Sequence, residues 1–310
     1  MGLILFNKPP GITSFDSLKK IKRSLKTGKV GHTGTLDKFA SGLLIVLVGG
    51  ALKLSSWFTN CDKQYIGKIY LGAETSTLDP EGEVTLKAPC PSCADLERVL
   101  PQFTGFIMQA PPAYSAIHIN GRRASDLARS GKIPEMKMRP VTVYQLELQS
   151  YNPPFAEIFV HCSSGTYIRS LARDIALAAG SCAHLTSLVR TKVAGFELPI
   201  EAVTKLQSLE HCPKIINDEY LESNEGEGAF SVLPVDKSVM RKLGLSWIEV
   251  DAAKAQHIFY GKPLELIMKE TDLSLLYTGG KDTAIFYGEK LIAIASKTEN
   301  KWKYGCVFNG

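Results

Sequence analysis

Six consecutive apolar residues, Leu43-Leu44-Ile45-Val46-Leu47-Val48, stand between Gly42 and Gly49 and form the longest apolar run in the chain. That is far short of the roughly 20 residues a membrane-spanning helix needs, so the run reads as a buried strand. Such a strand needs apolar partners. With 310 residues, 45% of them apolar, the chain has ample material for a core and a length prior of about two domains.

Other strands and helices are legible around it. Leu3 to Phe6 reads as a strand, Tyr65 to Leu71 alternates with period two, and Ile158 to Cys162 gives a further strand. Thr13-Ser14-Phe15-Asp16 has the form of a capping box opening a helix whose apolar face is Phe15, Leu18, Ile21 and Leu25. Ile168, Leu171, Ala172 and Ile175 recur at helical spacing after the Ser163-Ser164-Gly165 turn. The irregular alternation of strands and helices predicts a mixed α/β fold rather than repeated βαβ units.

Five acids and no base lie between Asp218 and Glu227, which reads as an exposed loop or linker and predicts a domain boundary near residue 230. Residues 231–310 are then a small β-rich module. Ile285-Phe286-Tyr287 and Leu291 to Ile294 form a hairpin across Gly288-Glu289, a turn of type II′ character, and Trp302, Tyr304, Cys306 and Phe308 alternate as a last strand.

The chain carries a net charge of +5, which suits a polyanionic partner without demanding one. The excess is uneven. Lys19, Lys20, Lys22, Arg23, Lys26 and Lys29 follow one another with no acid between Asp16 and Asp37, a pattern that a solvated helix face explains about as well as phosphate contact. The N-terminus lacks the basic region and long apolar stretch of a secretory signal, and seven scattered cysteines do not suggest a disulfide framework, so the expected compartment is the cytoplasm. Cys90 and Cys93 have the spacing of half a zinc ribbon or a redox site, but no second half follows; the expectation is no metal, with Pro91-Ser92 starting a helix whose stripe is Leu96, Val99 and Leu100.

The densest polar loop is Gly31-His32-Thr33-Gly34-Thr35-Leu36-Asp37, placed immediately before the apolar strand. It carries neither a Gly-Lys-Ser/Thr phosphate loop nor a Gly-x-Gly-x-x-Gly fingerprint, which removes nucleotide-cofactor readings. Taken alone, Asp37 reads as a turn or cap residue.

The loop together with Ala40-Ser41-Gly42-Leu43-Leu44 resembles the catalytic motif of the TruB family of tRNA pseudouridine synthases. Further blocks follow in that family's order: Asn7-Lys8-Pro9-Pro10-Gly11, Lys63-Gln64-Tyr65, Pro111 to Ala116, and Gly165-Thr166-Tyr167-Ile168-Arg169. The resemblance spans about residues 3–195 and is looser over the tail, which is similar to PUA-type RNA-binding modules.

The resemblance implies a pseudouridine synthase-type catalytic domain over residues 1–230, with an RNA-gripping segment at about 105–140, and a PUA-like domain over 231–310. It implies isomerisation of uridine 55 in the T loop of tRNA by base flipping, with no cofactor and no obligate protein partner. Asp37 is then the essential carboxylate, either nucleophile on the ribose or the base that starts glycal formation. Arg169 is its partner and favours the ionised form, and Tyr65 stacks on the flipped uracil. Tyr167 and Leu188 line the uracil position, His32 contacts the RNA, and Lys8, Lys53 and Arg190 are support or phosphate contacts. Between Gly121 and Arg139 six bases face two acids, which matches the gripping segment.

Two departures from the family's pattern stand out: Lys38 where a proline is common, and Ser76 in Thr75-Ser76-Thr77-Leu78-Asp79 where an acid is usual. A guide-RNA-dependent relative, an RNA-folding chaperone and a zinc or redox protein are the competing readings.

Overall fold

The structure, a computed structural model, describes residues 1–132, 134–209, 230–268, 282–298 and 301–308. The acidic stretch from Asp218 to Glu227, expected as a loop or linker, lies outside the described residues.

A mixed sheet dominates. Its main path runs in the order Leu233–Pro234, Gly2–Lys8, Ser41–Val48, Ala183–Val193, Lys63–Leu71, Phe155–Cys162, Arg139–Asn152 and Gly105–Gln109, with Val30–His32 and Phe196–Glu197 paired alongside. Every pairing is antiparallel except Ser41–Val48 against Ala183–Val193. The period-two stretch from Tyr65 is part of a strand whose burial alternates strictly.

The apolar run has apolar partners on both sides. Leu44 and Val46 point into a cluster with Leu18 and Ile21 of the helix Ser14–Ser24 and Ile168, Leu171 and Ile175 of the helix Ile168–Ala178. Leu43, Ile45 and Leu47 point the other way, to Phe58, Phe196 and residues of the C-terminal sheet: Ala284, Phe286, Leu291, Ile294 and Phe308. A strand buried on both faces has no polar side to present, which is why its sequence does not alternate. Each such side chain withdrawn from water contributes about 1.5–3 kcal/mol before entropy is counted.

The tail forms a four-stranded sheet in the order Ser246–Glu249, Asp282–Tyr287, Lys290–Thr298 and Lys301–Val307. The expected hairpin is present, and Gly288 takes φ of 57° at its turn. The far face of this sheet is covered by Ala255, Ile258 and Leu264. Leu233–Pro234 pairs with the first strand, so chain just beyond residue 230 is woven into the large sheet. Lys53 donates to the Val307 carbonyl at 2.6 Å and Trp57 Nε1 to Asp282 at 2.7 Å, adding polar ties to the shared apolar contact.

Two local expectations need correction. Phe15 does not join the core face of the first helix: it is 63% exposed, and Ser14 and Ser17 are buried in its place. The Thr13 hydroxyl accepts from the Asp16 N–H and itself donates to the Asp16 carboxylate, so the cap is made by one hydroxyl rather than by a reciprocal box. Ser92 does cap the helix Cys93–Val99 with a full capping box, and Leu96, Val99 and Leu100 are buried as expected.

Where the apolar strand meets Ala183–Val193, the backbones come too close for a side chain. Gly42 has φ of 102°, and a Cβ there would lie 2.4 Å from the Arg190 carbonyl oxygen. Gly42→Ala is therefore expected to destabilise the protein by at least ~1 kcal/mol, read as a lower urea midpoint with unchanged slope. An unaltered midpoint contradicts the packing described.

Candidate active site

The loop before the apolar strand is fixed from several directions. Lys8, the last residue of the first strand, is fully buried and its Nζ donates to the carbonyls of Pro9 at 2.9 Å, Ile12 at 2.7 Å and Lys38 at 3.4 Å. Gly11 N–H donates to the same Lys38 carbonyl at 2.8 Å. The Ser14 hydroxyl accepts from the Leu36 N–H and donates to the Leu36 carbonyl. Ala40 N–H closes a turn onto the Asp37 carbonyl. These bonds grip Leu36 and Lys38, the two neighbours of Asp37, and leave its carboxylate pointing outward, 39% exposed.

Arg169, in the first turn of its helix and 4% exposed, meets that carboxylate. Nη2 donates to Asp37 Oδ1 at 3.2 Å, and Nε stands 2.9 Å from Oδ2 as an ion-pair contact without hydrogen-bond alignment. The remaining donors are satisfied behind it: Nη1 by the Thr77 carbonyl at 2.8 Å and Asp79 Oδ2 at 3.1 Å, and Nη2 also by the Tyr114 carbonyl at 3.0 Å. A guanidinium whose Nη1 and Nη2 are each held by two partners is restrained from swinging, so the carboxylate it contacts is aimed.

Asp79 is the residue that sequence reasoning missed. It lies in the Thr75 to Asp79 segment, whose departure from the family's pattern is at Ser76. It is 5% exposed, accepts from the Thr77 hydroxyl and the Glu81 N–H, and shares Arg169 with Asp37. Lys38 pairs with Glu81 at 3.5 Å on the surface, a contact of small energetic weight.

The pKa of Asp37 is raised above the ordinary carboxylate value. Desolvation by the protein packed around the carboxylate, which keeps 39% of its side-chain surface exposed, is the largest cause and outweighs the lowering by Arg169; Asp79 adds to the rise by like-charge repulsion. The expectation that Arg169 favours ionisation thus describes one real influence, but not the net direction. Lys8 is pulled down to about 7, chiefly by burial and partly offset by Asp37.

Tyr65 and Arg190 are direct cross-strand neighbours, and Leu188 stands opposite Gly67 on the same pair of strands. Arg190 is 1% exposed and donates Nε to the Leu43 carbonyl at 2.8 Å and Nη2 to the Gly34 carbonyl at 3.1 Å, tying the polar loop to the sheet. Its guanidinium also bonds the Tyr65 side chain, whose pKa burial pushes up to about 12, so Tyr65 is a neutral phenol at neutral pH. Burial and the nearby Arg190 lower His32, which is neutral there too. Tyr167 caps the Arg169 helix; its N–H and carbonyl are clamped by the Gln109 side-chain amide at 2.8 and 3.1 Å.

Asp37, Arg169, Tyr65, Tyr167, Lys8, Arg190, Leu188 and His32 therefore form one neighbourhood. Lys8 and Arg190 are buried and held by main-chain carbonyls, which fits support and not phosphate contact. Lys53 is not part of it: its Nζ is engaged by the C-terminal strand. Cys90 is exposed and Cys93 half-buried at the start of the Cys93–Val99 helix, and desolvation, with Glu97 adding to it, raises the Cys93 pKa, which disfavours a reactive thiolate. No cluster of three metal-ligating side chains occurs among the described residues.

The sequence model of the TruB family pseudouridylate synthase N-terminal domain matches residues 22–168. A tRNA pseudouridine synthase B from Borreliella afzelii is 41% identical over 310 residues, covering 99% of both chains. The chain belongs to the TruB family. A synthase of the same name from Treponema denticola is 35% identical over 98% of this chain and 97% of its own. Among solved structures, a Cbf5-Nop10-Gar1 complex aligns with 95% of this chain and 78% of its own at a TM-score of 0.62 and 24% identity, which is a likeness of fold. An H/ACA RNP bound to a substrate RNA aligns with 95% of this chain and 77% of its own at a TM-score of 0.61 and 22% identity.

Two titrations test this TruB site. Removing the like charge in Asp79→Asn is expected to lower the Asp37 pKa, followed by the carboxyl carbon shift in a nuclear magnetic resonance titration; a rise or no change contradicts the shared ion pair. For Lys8, the unfolded chain holds a proton between about 7 and 10.5 that the folded chain has released, so this group's contribution to stability rises with pH across that window. The stability difference between wild type and Lys8→Met is expected to shift in favour of wild type from pH 7 to 10, measured by urea unfolding. A difference that is flat with pH contradicts it.

Proposed function

We propose that this TruB-family chain converts uridine 55 in the T loop of tRNA to pseudouridine, as a stand-alone enzyme acting on the T stem-loop. The observation that carries the reading is the outward-facing Asp37 carboxylate held by a buried arginine beside Tyr65. In the isomerisation the N1–C1′ bond of the nucleotide breaks, the freed uracil turns, a C5–C1′ bond forms, and the C5 proton leaves while N1 gains one. No net oxidation occurs, so the reaction needs no cofactor.

Asp37 acts ionised on the ribose, as nucleophile or as the base that starts glycal formation. Its raised pKa strengthens it in either role and places the acid limb of activity above the ordinary carboxylate range. Tyr65 takes the flipped uracil on its ring, an interaction worth ~1–3 kcal/mol against a flipping cost of a few. As a neutral phenol steadied by Arg190, it assists proton movement through its hydroxyl and not as a resting phenolate. Leu188 and Tyr167 bound the uracil, and His32 meets the RNA beside it.

The exposed bases of 121–139, with Arg122 and Arg123 on the hairpin with His118–Ile119, Arg129 on the helix Ala124–Arg129, and Lys132, Lys137 and Arg139 beyond it, grip the stem through phosphates. Residues 231–310 serve as a PUA-like RNA-binding domain after a catalytic domain of residues 1–230. No helix among the described residues is long and apolar enough to cross a membrane.

The test is incubation of the purified chain with unmodified tRNA transcript, with no guide RNA or partner protein, and mapping of pseudouridine by derivatisation and primer extension. Product at the T-loop uridine is expected. Asp37→Asn should keep tRNA affinity and lose about a thousandfold or more in rate. Wild-type rates from that variant contradict the assignment, and a requirement for added guide RNA favours the guide-dependent reading.

A further inference from the structure

The first helix has a feature that the site does not use. Between Asp16 and Lys29 six bases face a single acid, an excess equal to the net +5 of the entire chain. Lys19 is paired with Asp16, whereas Arg23, Lys26 and Lys29 are exposed with no ion-pair partner among the described residues. Phe15, at the start of the same helix, is 63% exposed, with the Lys22 ammonium 5.7 Å from its ring centroid. Phe15 directly follows Ser14, whose hydroxyl is bonded to both main-chain groups of Leu36, one residue from Asp37. An aromatic face thus opens next to the Asp37 loop, and the cations lie further along the chain from it.

A second observation concerns how Lys26 is held. The helix ends with Lys26 N–H bonded to the Arg23 carbonyl and Thr27 N–H to the Lys22 carbonyl, the double bond pattern that places the intervening residue in the left-handed region. Lys26 sits there with φ of 47°. Glycine is the residue that this position favours, and a lysine there carries a backbone penalty with no side-chain hydrogen bond or ion pair among the described residues to offset it. An exposed cation at a position that costs the helix end stability is available for a task outside the fold.

We infer that Phe15 and the cations Arg23, Lys26 and Lys29 form a second RNA-binding edge running from the Asp37 site, in which Phe15 stacks on an unpaired base and the three cations contact backbone phosphates. The inference rests on the RNA-modifying reading above for the identity of its polyanion. The tie between Ser14 and Leu36, which sets this helix beside the Asp37 loop, favours RNA over an anionic lipid surface, whose charge and apolar contacts a basic helix with an exposed phenylalanine also fits.

The experiment measures affinity for T stem-loop RNA and for whole tRNA transcript across a salt series, alongside single-turnover conversion at saturating RNA. The triple variant Arg23→Gln, Lys26→Gly, Lys29→Gln is expected to bind more weakly and to lose roughly 0.9 in the slope of log affinity against log salt for each phosphate contact removed, with conversion at saturation unchanged. Phe15→Ala is expected to weaken binding about fivefold or more while keeping the salt slope, because stacking releases no counterions. Lys26→Gly alone separates the two roles: its urea midpoint should rise while its RNA affinity falls.

Wild-type affinity and slope in the triple variant overturn the inference and leave the enzymatic reading intact. Weaker RNA binding by the variants, with no conversion by wild type, overturns the enzymatic reading and leaves this edge standing. Failure of the wild-type chain to bind either RNA overturns both. Cosedimentation with phosphatidylserine vesicles that the triple variant abolishes, with RNA affinity unaltered, assigns the edge to membranes and overturns the inference.

Discussion

One buried guanidinium organises the site. Arg169 lies between two carboxylates, and it is the only described group that contacts both Asp37 and Asp79. A buried ion pair of this kind is weak evidence for stability, because desolvation offsets much of the attraction. What it provides is direction. With two backbone carbonyls and Asp79 holding Arg169 from behind, its remaining contacts fix where the Asp37 carboxylate points. Burial in this arrangement, with Asp79 adding a second negative charge against the one positive charge, raises Asp37 in pKa and makes it more basic while it stays oriented.

The sheet makes that geometry possible by separating two jobs. The strand Ser41–Val48 places alternate residues in two apolar clusters and so anchors the loop that ends at Asp37. Across it, Arg190 reaches from the neighbouring strand to the Leu43 and Gly34 carbonyls, and from the other side Lys8 collects the carbonyls of Pro9, Ile12 and Lys38. Both side chains are buried and structural, whereas Arg23, Lys26 and Lys29 near the first helix and Arg122, Arg123 and Arg129 in the 121–139 segment are exposed.

Much of this was readable in the chain itself, and the limits have physical causes. The strands beginning near Leu3, Leu43 and Tyr65 and the helix at Ile168 show in hydrophobic period because packing decides their pattern. The strand Arg139–Asn152 lies next to the sheet edge, with exposed residues on both faces, and so lacks a period to detect. Ala183–Val193 is interrupted by Ser187, Arg190 and Thr191, polar residues that are buried here and break the apolar pattern. Spacing places Phe15 on the core face because it counts hydrophobicity and carries no information on which serines find partners; Ser14 does, in the Leu36 main chain. For the site, resemblance supplied Asp37 and Arg169, but Asp79 has no sequence signal beyond a threonine-rich turn, since its importance comes from contact with a residue 90 positions away.

The most direct test of the central claim is the pH dependence of single-turnover uridine conversion by Arg169→Lys. A lysine keeps the charge but cannot hold Asp37, Asp79 and two carbonyls in one plane. The account predicts a rate lower by at least about tenfold and an acid limb moved to higher pH, because Asp37 loses part of the stabilisation of its ionised form. A variant with the wild-type rate and an unmoved acid limb contradicts it.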